Sequence, residues 1–394
     1  MRILFIYPRT LDASKSVGGV AEVLCSLTPA LKELNVESVI FANDKKADGL
    51  SKPSHTLSDS LVYYAPFAKP SFLASNKKIS YAIDVCRQEN IDLIHAQGTY
   101  TAGFVAEKIH QQTGIPYIVT SHSDILPTNS KRMKRWGVRS RTRKILKHAS
   151  AVTHLTPMME AASHEIFDTS SKSTVIGNGI DCKSWLPFAN LSERNYMLGI
   201  GRLVPGKGFD VMINMFARLI ERGYKTSLVI AGKGSEEEAL HDQAKKLGAT
   251  CIRDFTDFNN IPEKSVIFTG YVRDDAKKRL IAESQIVLFA TQPNMLEEAF
   301  GMVQLEAMAA GKPLLASNTN ATRYLAKTGM QCRIVEQSAD ADDWCKQAEI
   351  LLQDDKLRKE MGQANLQSVI QFDWLHIAKQ YRDLYADLSS SSTS

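Results

Sequence analysis

Glu298-Ala-Phe-Gly-Met-Val-Gln-Leu-Glu306, running on through Ala307-Met-Ala-Ala-Gly311-Lys-Pro313, is the stretch on which the fold turns. Two glutamates stand eight positions apart with a glycine between them. Ahead of them, Ile286-Val-Leu-Phe-Ala290 is a short apolar run of the kind that forms a buried strand. Behind Gly301, the residues Met302, Val303, Leu305, Ala307, Met308 and Ala309 predict a helix, ended by Gly311 and Pro313. Glu298 therefore falls in the loop above a strand end, and Glu306 lies about one and a half turns into the helix. Such a unit suits an anion. Gly301 lets the backbone come close, and the free N–H groups of the first turn, at Met302 and Val303, carry the positive end of the helix dipole. A diphosphate fits there, with Glu306 placed to accept hydrogen bonds from a ribose diol and Glu298 facing what lies beyond the phosphates. A glutamate pair on a capped helix is more often solvated, so the reading depends on the company the pair keeps.

At 394 residues two domains are the natural expectation. An apolar share of 44% and a charged share of 23% are ordinary for a globular protein and exclude a disordered or membrane-embedded chain. Six scattered cysteines, without CxxC or metal spacing, read as thiols in a reducing compartment. No apolar run approaches the roughly 20 residues that span a bilayer, and Met1–Tyr7 reads as a first strand. The expected location is the cytoplasm. The net charge of +5 is too small to argue for nucleic acid.

Strand 2–7, a loop holding Gly18-Gly19 and a helical pattern from Val20 open an α/β nucleotide-type unit. Apolar runs at 36–42, 60–64, 91–95, 117–120, 151–155 and 173–176 continue it, giving a first domain over residues 1–190. A polar connection at 186–195 leads into a second series over 191–372. Its strands are expected at 196–201, 227–231, 266–269, 286–290, 314–317 and 332–335. The polar tail 389–394 is expected to be disordered. Ligands of such α/β domains bind at the carboxyl ends of the strands, and with two domains the cleft between them is the expected site.

Gly201-Arg-Leu-Val-Pro-Gly-Lys207-Gly208 nearly spells a P-loop, but Gly208 stands where Ser or Thr would hold magnesium, and Pro205 removes an N–H. Arg202 and Lys207 remain as two cations that neutralise a diphosphate without metal. His122, in Thr120-Ser-His-Ser-Asp124, ends a strand and can meet a sugar hydroxyl; a loop histidine bonded to backbone is the competing reading. Asp340-Ala-Asp342 has a metal-binding DxD form, but reads better as the N-cap of a helix, and no other cluster resembles a metal site. The segment 131–148 holds Lys131, Arg132, Lys134, Arg135, Arg139, Arg141, Arg143 and Lys144 with no acidic residue and with interleaved apolar ones. It reads either as a peripheral contact with an anionic membrane or as a solvated helix face; nucleic acid is disfavoured for want of a recognition fold.

Taken together these motifs resemble the retaining nucleotide-sugar glycosyltransferases of family 4, and the resemblance covers nearly the whole chain. It rests on the Gly18-Gly19 loop, the His122 loop, Asn178-Gly-Ile-Asp181, Gly201-Arg202 with Lys207-Gly208, Ala231-Gly-Lys-Gly234, Phe268-Thr-Gly-Tyr-Val272 and above all the Glu298–Glu306 block. It implies the α/β GT-B fold, two Rossmann-like domains facing across a central cleft, with a C-terminal helix at about 373–388 completing the first. It further implies that Arg202, Lys207 and the amides after Gly301 hold the donor diphosphate, that Glu306 binds the ribose and Glu298 the sugar, that His122 lies at the reacting centre and that Gly19 approaches the phosphates. The implied reaction is metal-independent retaining transfer from a nucleotide-diphosphate sugar to a glycan or lipid-linked acceptor, as in polysaccharide, lipopolysaccharide or glycolipid synthesis, with no cofactor. The enzyme would be cytoplasmic, with the basic segment on the inner face of the membrane. A non-catalytic nucleotide-sugar binding partner, an epimerase and a phosphorylase are the alternatives. The chain departs from the family at Asn318-Thr-Asn-Ala-Thr-Arg323, where a Gly-rich loop is usual, and at Lys233, where an acid is usual.

Overall fold

The computed structural model describes residues 1–11, 19–44, 49–57, 60–66, 75–126, 131–189 and 191–390. The chain divides into two compact units, Met1–Gly179 with Phe372–Ser394, and Ile180–Gln371. The first contains β1 (Arg2–Tyr7), α1 (Gly19–Glu33), β2 (Glu37–Asn43), β3 (Ser54–Leu57), β4 (Ser60–Ala65), α2 (Ser75–Gln88), β5 (Leu93–Gln97), α3 (Thr101–Thr113), β6 (Tyr117–Ser121), α4 (Trp136–His148), β7 (Ala151–His154), α5 (Pro157–His164) and β8 (Ser173–Val175). The second contains β9 (Tyr196–Ile200), α6 (Phe209–Glu221), β10 (Ser227–Ala231), α7 (Glu237–Lys246), β11 (Thr250–Ile252), β12 (Ser265–Gly270), α8 (Asp274–Glu283), β13 (Ile286–Phe289), α9 (Met302–Ala309), β14 (Leu314–Ser317), α10 (Asn320–Lys327), β15 (Cys332–Val335), α11 (Ala341–Gln353) and α12 (Asp355–Ser368). The final helix, α13 (Trp374–Ser390), belongs to the first unit.

In the first unit the strand order is β3-β4-β2-β1-β5-β6-β7-β8, parallel except for the antiparallel β3–β4 pair. In the second it is β11-β12-β10-β9-β13-β14-β15, parallel throughout. Helices cover both faces of a parallel sheet, so the central strands are buried along their length and largely apolar. From Ile3 to Tyr7 every residue of β1 is buried, and so are all four residues of β13. In both sheets the chain begins centrally, runs to one side, then returns past its start. The reversal lies between β1 and β5 in one unit and between β9 and β13 in the other. Ligands of such sheets bind at this switch point.

Helix α13 packs Trp374, Ile377, Ala378, Tyr381 and Tyr385 into one core with Leu24, Leu27 and Leu31 of α1. Gly179 makes this possible, since a Cβ there would lie 2.5 Å from Trp374 Cδ2. The break between units falls at Gly179 rather than near residue 190, because the connection is built into the second unit. Trp185 is buried, the Lys278 ammonium lies 5.8 Å from its ring, and Lys278 Nζ donates to Ser184 O at 3.0 Å. Further along that connection, Glu193 accepts from buried Lys312 at 2.9 Å and from buried Arg358 at 2.9 Å. The terminal helix also runs to Ser390, two residues into the expected tail; residues 391–394 lie outside the description. Where the sequence read a loop at Asn318–Tyr324, helix α10 begins at Asn320, with Thr319 as N-cap accepting from Thr322 N at 3.1 Å. The sequence reading had no counterpart for α2, α5, β3 and β11, which are short or polar.

Candidate active site

At the switch point of the second unit, glycine lets three loops meet backbone to backbone. A Cβ on Gly232 would lie 1.8 Å from Gly201 O, and one on Gly234 would lie 2.0 Å from Leu203 O. Gly208, with φ +72°, would place a Cβ 2.0 Å from Ala290 O, and Gln292 N donates to Gly206 O at 2.8 Å. The loop after β9 is thereby stitched to the exit of β13. This also explains why no serine or threonine can stand at Gly208: the left-handed backbone and the Ala290 carbonyl leave no room for a side chain.

The result is that Lys207 Nζ is ion-paired with Glu298 Oε2, both side chains about four-fifths buried. The same ammonium lies 5.8 Å from the centre of the Phe289 ring. Arg202, on the same loop, has its side chain exposed. Gly301 is the N-cap of α9, held at φ +80°. Met302 and Val303 form the first turn, whose amides have no carbonyl ahead of them. Glu306 is buried on α9, with Oε1 accepting from Lys277 Nζ at 2.7 Å. Lys207, Glu298, Gly301, Met302, Val303 and Glu306 are thus brought together around one strand exit and one helix start. Lys277 had escaped the sequence reading. It lies in α8, and nothing in its local pattern distinguishes it from a surface lysine.

His122 and Gly19 belong to the first unit. His122 follows β6 and is half-buried; its Nε2 donates to Gln97 Oε1 at 2.8 Å, which leaves Nδ1 as the acceptor of a neutral ring. Burial pushes its pKa down to about 4, and the nearby Asp124 carboxylate offsets only part of this. Asp124 is itself anchored, with Oδ2 accepting from Thr99 N at 2.6 Å and Thr99 Oγ1 at 2.7 Å ahead of α3. The carboxylate thus ties the His122 loop to the end of β5. Gln97 and Asp124 were not assigned a role from sequence. His95 is structural: fully buried, it meets Tyr385 Oη at 2.7 Å and Thr120 Oγ1 at 2.5 Å, and burial pushes its pKa down to about 3. Gly19 opens α1 with free space where a Cβ would stand; Gly18 lies outside the described residues.

The basic segment divides in two. Arg139 donates to Glu165 O at 2.7 Å, Arg143 to Ile166 O at 3.3 Å, Arg141 lies over Phe104, and Lys144 pairs with Glu107 at 3.5 Å. Met133, Ile145 and Leu146 are core residues. Arg139, Arg143 and Lys144 are nevertheless exposed, as are Lys134, Arg135 and Trp136, the last 85% exposed. Lys131 and Arg132 begin a 3-10 turn, and their side chains lie outside the description. The DxD carboxylates are otherwise engaged: Asp340 caps α11 through Asp342 N at 2.8 Å, and Asp342 pairs with Arg218 at 2.5 Å. No described helix is long and apolar enough to cross a membrane.

Comparison with known proteins matches each unit to a family. Residues 17–184 fit Glycosyltransferase Family 4, and residues 187–368 fit Glycosyl transferases group 1. The chain is 25% identical to a phosphatidyl-myo-inositol mannosyltransferase of Mycolicibacterium smegmatis, over 99% of this chain and 95% of that one. It is 26% identical to a D-inositol 3-phosphate glycosyltransferase of Corynebacterium aurimucosum, over 77% and 74%. Among solved structures, Anabaena HepE in complex with UDP superposes with a TM-score of 0.74 at 18% identity, covering 98% of this chain and 100% of that one. Sucrose-phosphate synthase of Thermosynechococcus elongatus gives a TM-score of 0.75 at 17% identity, over 99% and 100%. With both units matched and nearly the whole chain spanned, this protein belongs to the family 4, group 1 glycosyltransferases of GT-B fold.

Proposed function

We propose that this glycosyltransferase moves a sugar, with retained configuration and without a metal ion, from a nucleotide-diphosphate donor to a lipid-linked acceptor of glycolipid synthesis. The observation that carries the donor half is the Lys207–Glu298 pair at the switch point, beside the amide-bearing start of α9. A cation, a carboxylate and a set of free N–H groups at one strand exit match a sugar diphosphate, whose phosphates need donors and whose hydroxyls need an acceptor. Lys207, Arg202 and the α9 amides stabilise the charge that develops on the leaving phosphate, which itself takes the acceptor's proton. Glu306, fixed by Lys277, accepts from the ribose, and Glu298 orients the sugar. In the first unit, neutral His122 hydrogen-bonds sugar hydroxyls; its low pKa keeps a positive charge off that ring at neutral pH.

The acceptor half rests on likeness. Two of the similar proteins carry inositol lipid or inositol phosphate in their names, and both are transferases. The exposed Trp136 with Lys134 and Arg135 suits the interface of an anionic bilayer, where an indole settles among headgroups and cations meet phosphate. The test is thermal stability in the presence of UDP, GDP, ADP and their sugar conjugates, with and without EDTA. Selective stabilisation of about 2.7 kcal/mol at 100 times the dissociation constant, indifferent to EDTA, is expected. No stabilisation by any of them would overturn the donor assignment, and sensitivity to EDTA would overturn the metal-free mechanism.

A further inference from the structure

Gln304 is the third helical residue after the N-cap Gly301, a position from which glutamine reaches back toward its own cap. The side chain does curl back. A Cβ on Gly301 would lie 2.4 Å from Gln304 Nε2 and 3.4 Å from its Cδ. Gln304 is completely buried, yet neither Oε1 nor Nε2 has a hydrogen-bond partner among the described residues. Buried polar side chains in folded proteins are almost always paired, and a near-isosteric methionine would fill this position without an unsatisfied amide. Leu305, Ala307 and Met308, which follow, are buried and apolar, so core packing alone gives no reason for a carboxamide.

Its surroundings specify what the carboxamide is for. Phe289 Cζ would lie 3.2 Å from the same Gly301 Cβ, and the Lys207 ammonium lies 5.8 Å from the Phe289 ring centre. The carboxamide therefore shares one small neighbourhood with the free amides of the α9 start and with a lysine. The amides, the lysine and the carboxamide Nε2 are donors, set beside the carboxylate of Glu298 that pairs with the lysine, and such donors at a helix N-terminus suit an oxyanion. We propose that Gln304 is a diphosphate-binding residue, its Nε2–H donating to a non-bridging phosphate oxygen of the donor from beneath the first turn of α9. This rests on the donor reading above and adds a ligand that no motif assigned.

The experiment compares the wild-type chain with Gln304→Leu, Gln304→Met and Gln304→Glu. Calorimetry measures binding of the nucleoside diphosphate that stabilises the wild type and of the matching nucleoside; thermal melting is read without ligand. If Gln304 holds the diphosphate, the leucine and methionine variants melt at or above the wild-type temperature. They bind the diphosphate about tenfold or more weakly and bind the nucleoside unchanged. The glutamate variant, with a carboxylate facing phosphate, binds the diphosphate more weakly still. Diphosphate binding within twofold of wild type in both apolar variants would overturn the proposal. So would an equal loss for diphosphate and nucleoside accompanied by a lower melting temperature, since that is the mark of a helix cap. The methionine variant guards against a packing failure peculiar to leucine. A wild-type chain that binds no nucleoside diphosphate would instead overturn the donor assignment itself.

Discussion

Lys207 and Glu298, ninety-one residues apart, form an ion pair across the point where the second sheet reverses direction. The loop after β9 and the loop after β13 are therefore held in register by one largely buried charge pair. Glu298→Gln keeps the shape and removes the charge. Turnover is expected to fall by about 100-fold or more, while nucleoside diphosphate affinity stays the same or rises because Lys207 is released. Wild-type turnover in this variant would remove Glu298 from the chemistry.

Lys207→Met should act in the opposite sense. Diphosphate affinity is expected to drop by about tenfold or more, with little effect on binding of the nucleoside. Titration calorimetry with the two ligands separates the cases, and equal losses for both would point to collapse of the loop.

Gly208→Ser would make the loop spell a P-loop. Because its Cβ would meet Ala290 O at 2.0 Å from a backbone at φ +72°, the expected result is a loss of at least about 2 kcal/mol in denaturant unfolding. A stable variant that gained magnesium-dependent nucleotide binding would show that the loop can be rebuilt.

Three histidines fold in their neutral form: His122 with its pKa lowered to about 4, His95 and His154 with theirs lowered to about 3, each by burial. In the unfolded chain each takes up a proton near pH 6.5. Between pH 6.5 and about 4 the unfolded state therefore holds more protons, so their contribution is complete above pH 6.5 and is lost as pH falls. Urea unfolding across this range should give stability rising with pH, with a slope approaching about three protons. A flat profile would mean that these rings are solvated.

The two halves of the basic segment should respond differently. Replacing Lys134, Arg135 and Trp136 by alanine is expected to weaken binding to anionic vesicles by about tenfold or more, with the melting temperature unchanged. Replacing Arg139 and Arg143, which hold the carbonyls of Glu165 and Ile166, should lower the melting temperature instead. Co-sedimentation beside a melting curve distinguishes them, and vesicle binding indifferent to Trp136 would leave that face merely solvated.

The sequence reading succeeded where chemistry is local. A buried strand, a glycine and a helix with two spaced glutamates sit in one short stretch, and Asp340 announces its capping role two residues ahead of the amide it accepts from. It fell short where partners come from elsewhere in the chain. Lys277 reaches Glu306 from a different helix, and Gln97 reaches His122 from a different strand. Composition likewise could not say that the exposed Arg139 and Arg143 hold the carbonyls of Glu165 and Ile166. The unit boundary was missed for the same reason: Gly179 is fixed by Trp374, nearly two hundred residues later.

That contact has a consequence for how the protein is made. The second unit is one continuous segment of chain, whereas the first is split around it and needs α13 to fill its core. During synthesis the unit that emerges last-but-one can reach its final packing while the N-terminal sheet still lacks Trp374, Tyr381 and Tyr385. The first unit then completes its core only when the last-made helix reaches it, although its sheet is made first. Loss of the C-terminal helix would harm the half encoded first, exposing the α1 surface while leaving the second unit folded.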